Sequence, residues 1–423
     1  MAGNLLRKAG MIAVSNQPAP PASNSRPKAT NTPPWWQLMI WAGCDFFAWI
    51  RLLGRNRFRI HWSVLHVVIY VTIVSMGHTL LRGIQGLVYG RRLNRTRIDQ
   101  APIFIIGHWR TGTTLLHEFL ALDDRHVGPS TYECMEPNHF LLTEGLVRRW
   151  LPFFSLSVRP MDNMAAGFDR PQEDEFALCN LGLPSPYLTV AFPNHPPQFE
   201  EYLDLEQISP RALATWKRKF LRFLTELTFR HNKRLVLKSP THSCRIKTLL
   251  EIFPDARFVH IVRDPYVVFP STVNLWKSLY ITFGLQRPTF QGLDEHVLKT
   301  FVRVYDKIEG GKALLDFDRF YELRYEDLVR DPVGQMANLY DHLGLGGFDE
   351  VLPKLKARLA ETADYRTNRY QLTDEQRTTI TQRWGHVIRQ YGYDTQAAAH
   401  RDSLTARPSE ILGGGSARPS QAV

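Results

Sequence analysis

The run PIFIIGHWRTGTTLLHEFLAL, Pro102 to Leu122, decides the fold of this chain. Ile103 to Ile106 are β-prone apolar residues closed by Gly107, the pattern of a buried strand in a parallel sheet. Leu115, Leu116, Phe119, Leu120 and Leu122 then recur at helical spacing. Gly107 to Thr114 therefore form a loop that ends at a helix N-terminus. Free backbone N–H groups, the positive end of the helix dipole and the hydroxyls of Thr111, Thr113 and Thr114 meet there and suit a cluster of anionic oxygens. The same residues would also serve a plain strand-to-helix turn.

A nucleoside triphosphatase loop, G-x-x-x-x-G-K-[ST], carries lysine directly after its second glycine, to reach the β- and γ-phosphates, and a hydroxyl that holds magnesium. Here Thr113 takes the lysine position. The cation sits inside the loop instead, at Arg110, whose guanidinium can fork two N–H bonds onto a phosphate or sulfate without a metal. The loop thus favours a donor with a 5′-phosphate and one transferable group over ATP.

The 423 residues have room for roughly two to three domain-sized pieces. A net charge of +11 and an isoelectric point near 9.5 imply affinity for anions: nucleotides, phosphorylated or sulfated products, or anionic lipid. No basic stripe with interleaved aromatics forms a recognisable nucleic-acid module, so no nucleic-acid partner is expected. Cys44, Cys134, Cys179 and Cys244 are scattered without C-x-x-C or Cys/His ligand spacing. The expectation is a reduced compartment and no metal.

Residues 1–34 are rich in proline, serine and asparagine and are expected to be disordered. Residues 35–97 read as an apolar helical, membrane-associating region with two stretches, Trp35 to Leu53 and Trp62 to Leu81. The second is near spanning length, and arginines flank it on both sides. The expectation is a membrane-embedded or interfacial helical hairpin on anionic lipid, with the catalytic domain facing the cytoplasm. The alternative is a pair of helices that cover the catalytic domain or a dimer contact.

Beyond the loop helix, Glu133 and Glu136 lie close enough in sequence for one carboxylate to return as general base, or to stand as solvated acids near a helix cap. Asp169 to Glu175 is an acidic cluster whose spacing fits a helix N-terminus, a structural role. Leu183 to Pro197 and Leu279 to Gly292 read as loops that border a substrate cleft. Pro210 to Asn232 reads as an amphipathic cover helix. It leads into a strand, Arg234 to Lys238, that ends in a lysine able to hold a leaving oxygen as charge develops. His242 follows as a candidate base. Phe258 to Val262 is another buried strand, which places Arg263 at the carboxyl end of the sheet, where ligands of open α/β folds collect. A helix from Pro265 would bring Ser271 back beside it, an Arg/Ser pair for a second phosphate.

Together, the loop Gly107 to Thr114, the strand end Lys238-Ser239-Pro240 and the pair Arg263 and Ser271 resemble the sulfotransferases that use 3′-phosphoadenosine 5′-phosphosulfate. Glu322 to Pro332 resembles a late strand and turn of that family, and Arg366 to Tyr370 its loop that closes on the 3′-phosphate. The likeness assigns residues 98–395 to a sulfotransferase domain, leaving 396–423 as a disordered tail. It implies an α/β fold, a central parallel sheet flanked by helices, with the N-terminal helical extension added. It implies transfer of a sulfuryl group to a hydroxyl or amine of a carbohydrate, lipid or other small molecule. By position, Arg110, Thr111, Gly112, Thr113 and Thr114 would bind the 5′-phosphosulfate, and Lys238 would stabilise the leaving phosphate. Arg263 and Ser271 would hold the 3′-phosphate, with Arg366 and Arg369 as further candidates. Tyrosyl-protein members place their base near Glu133, the preferred choice here, and cytosolic members place a histidine near His242. In-line transfer with arginine and lysine electrostatics needs no metal. Two other readings are a P-loop kinase or nucleotide hydrolase, disfavoured by Thr113 and Lys238, and a membrane-anchored nucleotide-binding protein without turnover.

Overall fold

The computed structural model describes residues 40–150, 169–361 and 370–393. The expected strand–loop–helix unit is there: β1 (Ile103–Ile106) leads through the loop into α3 (Thr113–Leu120). Before it come α1 (Phe46–Arg55) and α2 (Leu65–Leu93). After it the chain runs through β2 (His126–Val127), α4 (Thr131–Met135), α5 (Phe140–Trp150), α6 (Asp174–Asn180), α7 (Pro210–His231), β3 (Arg234–Lys238), α8 (Ile246–Ile252) and β4 (Arg257–Val262). It closes with α9 (Pro265–Phe283), α10 (Leu293–Lys312), β5 (Phe320–Arg324), α11 (Tyr325–Arg330), α12 (Pro332–His342), α13 (Phe348–Glu361) and α14 (Asp374–Gln390).

All five strands are parallel, in the order β2-β3-β1-β4-β5. Because strand side chains alternate between faces, β1 feeds two cores. Phe104 and Ile106 join Leu237, Phe258, Phe220 and Trp384 on one face. Ile103 and Ile105 join Val236, Ile261, Leu116 and Met336 on the other. Helices cover both faces, which is why β1 is apolar at every position. Register sets the site: Ile105 pairs with Lys238 and Ile106 with His260, so the carboxyl ends of β1, β3 and β4 come together.

The cleft-bordering segments are more ordered than expected. Pro186–Val190 within the first is a buried 3₁₀ turn, and α9 continues to Phe283, so the second loop begins only at Gly284. Of the two expected apolar stretches, the second forms the longer helix. Among the described residues one helical segment, Trp62–Leu93, is long and apolar enough to cross a membrane. It runs well past Leu81. α1 has only 10 residues, about 15 Å of helix, and turns Trp49, Leu52 and Leu53 into the core. It is fixed to α2 by bonds from Trp49 Nε1 to Thr72 Oγ1 and from Phe46 N to Thr79 Oγ1, each 2.9 Å. Residues 35–39 and the two segments expected to be disordered, 1–34 and 396–423, lie outside the described residues.

A buried ion pair ties α6 to the segment after β3. The Arg245 guanidinium, without exposed surface, donates to Glu175 at 2.6 and 3.0 Å and to the Tyr202 carbonyl at 2.8 Å. Ser185 and Thr241 hydroxyls complete the carboxylate's shell at 2.6 and 2.9 Å. Burial acts to raise the Glu175 pKa, but the pairing with Arg245 outweighs it and holds the group below its ordinary 4.5. Removing one partner strands the other charge. Glu175→Gln is expected to cost about 3–5 kcal/mol by denaturant unfolding, and the apolar double replacement Glu175→Leu with Arg245→Met much less. A carboxylate with a depressed native pKa contributes fully above its unfolded value and loses that contribution as pH falls through the native one. Wild-type stability should therefore decline as pH drops below 4.5, and decline less in the apolar double variant.

Candidate active site

The loop after β1 is shaped by two glycines. Gly107, at φ +150°, donates its N–H to Ser243 Oγ at 2.8 Å, and a Cβ there would lie 2.7 Å from the Ile261 carbonyl. Gly112, at φ +104°, caps α3, and a Cβ would lie 2.3 Å from the Tyr325 ring. Only glycine fits either position without a shift. The Thr111 hydroxyl is used inside the loop, donating to the His108 carbonyl at 2.8 Å. Thr113 and Thr114 open α3, whose first-turn N–H groups have no partners within the helix.

Arg110 has a left-handed backbone, φ +70°, a conformation that costs a side-chain-bearing residue energy and persists only when its surroundings impose it. They do so from two sides. Arg110 Nε donates to Ser271 Oγ on α9 at 2.9 Å, and Arg263 donates to the Arg110 carbonyl at 3.1 Å. The Arg263 guanidinium lies over the Tyr325 ring, 4.1 Å from its centroid. Residues from three separate strand ends thus converge on one cationic edge.

Lys238 ends β3 with 1 % exposure and reaches the same place. Its Nζ lies 3.4 Å from Thr114 Oγ1 and 2.8 Å from Glu173 Oε1. The other Glu173 oxygen accepts from Tyr187 OH at 2.5 Å, and Tyr187 accepts from Trp109 Nε1 at 3.0 Å. Nearby His117 is driven down to about 3 by burial first and by Lys238 second, so it stays neutral. The wall beyond is aromatic: Trp109, Phe176, Tyr187, Trp276 and Tyr280 form a chain of ring contacts with centroids 5.3 to 6.3 Å apart. The arrangement offers an anion cradle, a lysine at a strand end and a carboxylate beside it, facing apolar surface.

The sequence profile of the Sulfotransferase family matches residues 102–350, more than half of the chain. The chain belongs to the sulfotransferase family. It is 56% identical over 359 residues to the omega-hydroxy-beta-dihydromenaquinone-9 sulfotransferase Stf3 of Mycobacterium bovis, a match that covers 85% of this chain and 92% of that one. The Stf3 of Mycobacterium tuberculosis gives the same figures. The crystal structure of sulfotransferase STF9 from Mycobacterium avium shares the fold, with a TM-score of 0.59 at 19% identity over 82% of this chain and 96% of that chain.

In this sulfotransferase the structure brings together Arg110, Thr111 to Thr114, Lys238, Arg263 and Ser271. Arg366 and Arg369 lie outside the described residues. Glu133 and His242 are placed otherwise. Glu133 is fully buried with both oxygens engaged: one takes the Ser130 N–H at 2.7 Å in a capping box, the other meets His231 Nε2 at 2.6 Å. Burial acts to raise its pKa, and the His231 and Ser130 bonds bring it below the ordinary value. His242 packs under the sheet against Phe104 and Phe220, with Nε2 2.8 Å from Asp174 Oδ2. The acid that does meet Lys238 is Glu173, in the cluster the sequence reading held to be structural. That cluster does start a helix; what marks Glu173 is its contact with a residue 65 positions away, which no local spacing reveals. Gly112→Ala is expected to lower thermal stability by several degrees and to abolish the shift produced by adenosine 3′,5′-bisphosphate, measured by differential scanning fluorimetry.

Proposed function

We propose that this enzyme transfers the sulfuryl group of 3′-phosphoadenosine 5′-phosphosulfate to the terminal hydroxyl of a long apolar lipid of the isoprenoid-quinone type, at a membrane surface. The observation that carries the reading is the position of Lys238 Nζ, between the Thr114 hydroxyl and Glu173 at the carboxyl end of β3. The N-terminus of α3, the threonines and Arg110 would hold the 5′-phosphosulfate. Arg263 and Ser271 would take the 3′-phosphate, with Arg110, bonded to Ser271, spanning both ends. Tyr370 supports a contribution from Arg366 and Arg369, because its hydroxyl lies 3.5 Å from Asn274, one turn beyond Ser271 on α9.

In the transfer, the acceptor oxygen bonds to sulfur as the bridging S–O bond breaks, and the leaving phosphate oxygen gains the charge. Lys238 stabilises that oxygen. Glu173 takes the acceptor's proton; it is the partly exposed carboxylate at the lysine, whereas Glu133 is fully buried in a helix cap and His242 is in the core. The acceptor class rests on three supports. Stf3 acts on a hydroxylated menaquinone derivative by its name, at 56% identity. The walls beside Glu173 are aromatic. An apolar groove of about 620 Å³ opens between α1 and the start of α2, lined by Leu53, Phe58, Ile60, Trp62 and Leu65. Its rim residue His61 bonds to Leu285, and Leu285 to Ala191, in the turn that carries Tyr187.

Membrane association of residues 35–97 is supported by the inverted polarity of α2. Ser75, His78 and Gln85 face the protein, while Ile73, Met76, Leu80 and Leu87 face outward, Leu87 with 87% exposure. A soluble cover helix has the opposite arrangement. The four cysteines are unpaired, in keeping with a catalytic domain, residues 98–395, on the reducing cytoplasmic side.

The full chain should be stabilised thermally by adenosine 3′,5′-bisphosphate and not by ATP with magnesium. It should label an ω-hydroxylated isoprenoid quinone from donor carrying radioactive sulfur, and a soluble sugar far less. Lys238→Ala should lower kcat by about 10²–10³-fold while keeping the bisphosphate shift. Glu173→Gln should lower kcat by about 10²-fold or more, and Glu133→Gln should lower stability with little change in kcat at permissive temperature. The reverse pattern would move the base to Glu133. In fractionated cells the full chain should need detergent for release, and replacing Ile73, Leu80 and Leu87 by serine should free it; release of wild type by low-salt buffer alone would overturn the membrane reading.

A further inference from the structure

His78, on the inner face of α2, meets Glu136 and His139 at the corner between α4 and α5, and all three are buried. His78 Nδ1 lies 2.5 Å from His139 Nε2, and each nitrogen lies 3.2 Å from Glu136 Oε2. The rings are stacked, 4.7 Å between centroids at 8°. Three electron-pair donor atoms therefore lie together.

Protons do not account for the cluster well. The Thr143 hydroxyl donates to the His139 carbonyl at 3.1 Å and accepts from Tyr132 OH at 2.8 Å. Its one hydrogen is used, so toward His139 Nδ1, 2.9 Å away, it is an acceptor, and Nδ1 carries the proton. With Nδ1 as donor to Thr143, Nε2 offers its lone pair on the side of His78 and Glu136. Glu136 Oε2 has no hydrogen-bond partner although it is buried. A single proton on His78 Nδ1 would have to serve both acceptors in a space with little water.

We propose that this cluster binds a divalent first-row cation, with zinc favoured by its donor set of two imidazoles and one carboxylate and the fourth position open to water. Bonds of about 2.0–2.1 Å in a tetrahedral site put ligand atoms about 3.3 Å apart. Both glutamate–histidine distances already have that value, and the two histidine nitrogens separate by under about 1 Å to reach it. Thr143 supplies the outer hydrogen bond that fixes a ligand histidine's tautomer and orientation. The cation would join α2, with its outward apolar face, to the corner from which α4 and α5 run into the catalytic domain. The sequence reading missed it because Glu136 and His139 form only a short i, i+3 pair, and the third donor lies 61 positions from His139.

The test is the metal content of the full chain, purified in detergent without a polyhistidine tag or chelator and measured by inductively coupled plasma mass spectrometry. About one zinc per chain is expected, and at least a tenfold loss in Glu136→Gln and in His139→Asn, with the bisphosphate-induced thermal shift kept as proof of folding. Thr143→Val leaves the donors in place and should weaken zinc binding roughly tenfold in competition with a chromophoric chelator. Chelator-stripped wild type should regain several degrees of thermal stability on addition of zinc chloride, and Glu136→Gln should not. Metal-free wild type that shows no such gain would overturn the proposal, as would zinc retained at full stoichiometry in both ligand variants.

Discussion

A carboxylate and a guanidinium that share no surface with water hold this enzyme's catalytic edge together. Glu175 is the last of three successive acids, and each binds a successive part of the segment after β3: Glu173 binds Lys238, Asp174 binds Ser239 and His242, and Glu175 binds Thr241 and Arg245. The acids also stand at the start of α6, where the helix dipole favours negative charge. Apolar residues of equal volume would be as stable in the buried pair. We read the charges as fixing register: a hydrophobic contact can slide, while a bidentate pair with two further hydroxyl donors has one arrangement. That arrangement holds the acid run beside the end of β3, where Glu173 lies 2.8 Å from Lys238.

The donor loop follows the same logic in backbone form. Gly107 and Gly112 leave no room for side chains, so the chain passes close under Ile261 and Tyr325. Arg110 accepts a strained φ because Arg263 holds its carbonyl and Ser271 its side chain. A residue on β1's loop is thereby locked by residues from the end of β4 and from α9. The loop is pre-organised before any anion arrives, which is what electrostatic stabilisation of a transition state requires.

The N-terminal helices show the same forces acting where α2 packs on the rest of the protein. α2 spends its few polar side chains on the protein: Thr72 accepts from Trp49, Thr79 from Phe46, and Gln85 from the Leu141 N–H. Ile73, Met76, Leu80 and Leu87 are left outside, while Val68, Val71 and Leu93 are buried. α1 is short and has its own apolar face turned inward, so it serves as a brace between α2 and the catalytic domain.

The sequence alone determined the parallel sheet, the strand–loop–helix unit and the cationic residues at strand ends, because each rests on short-range rules: strand and helix periods and glycine at forced backbone angles. It also revealed the family, through Arg110, Lys238, Arg263 and Ser271 taken in order. Which acid stands at the lysine was decided only by the tertiary structure. Glu133, Glu173 and Glu175 look alike in sequence, since a carboxylate's role depends on what the fold presses against it. One became a helix cap paired with His231, one a buried counter-ion, and one the neighbour of Lys238. The inward polar face of α2 and the gathering of His78, Glu136 and His139 were likewise set by packing between elements distant in sequence, which no local pattern encodes.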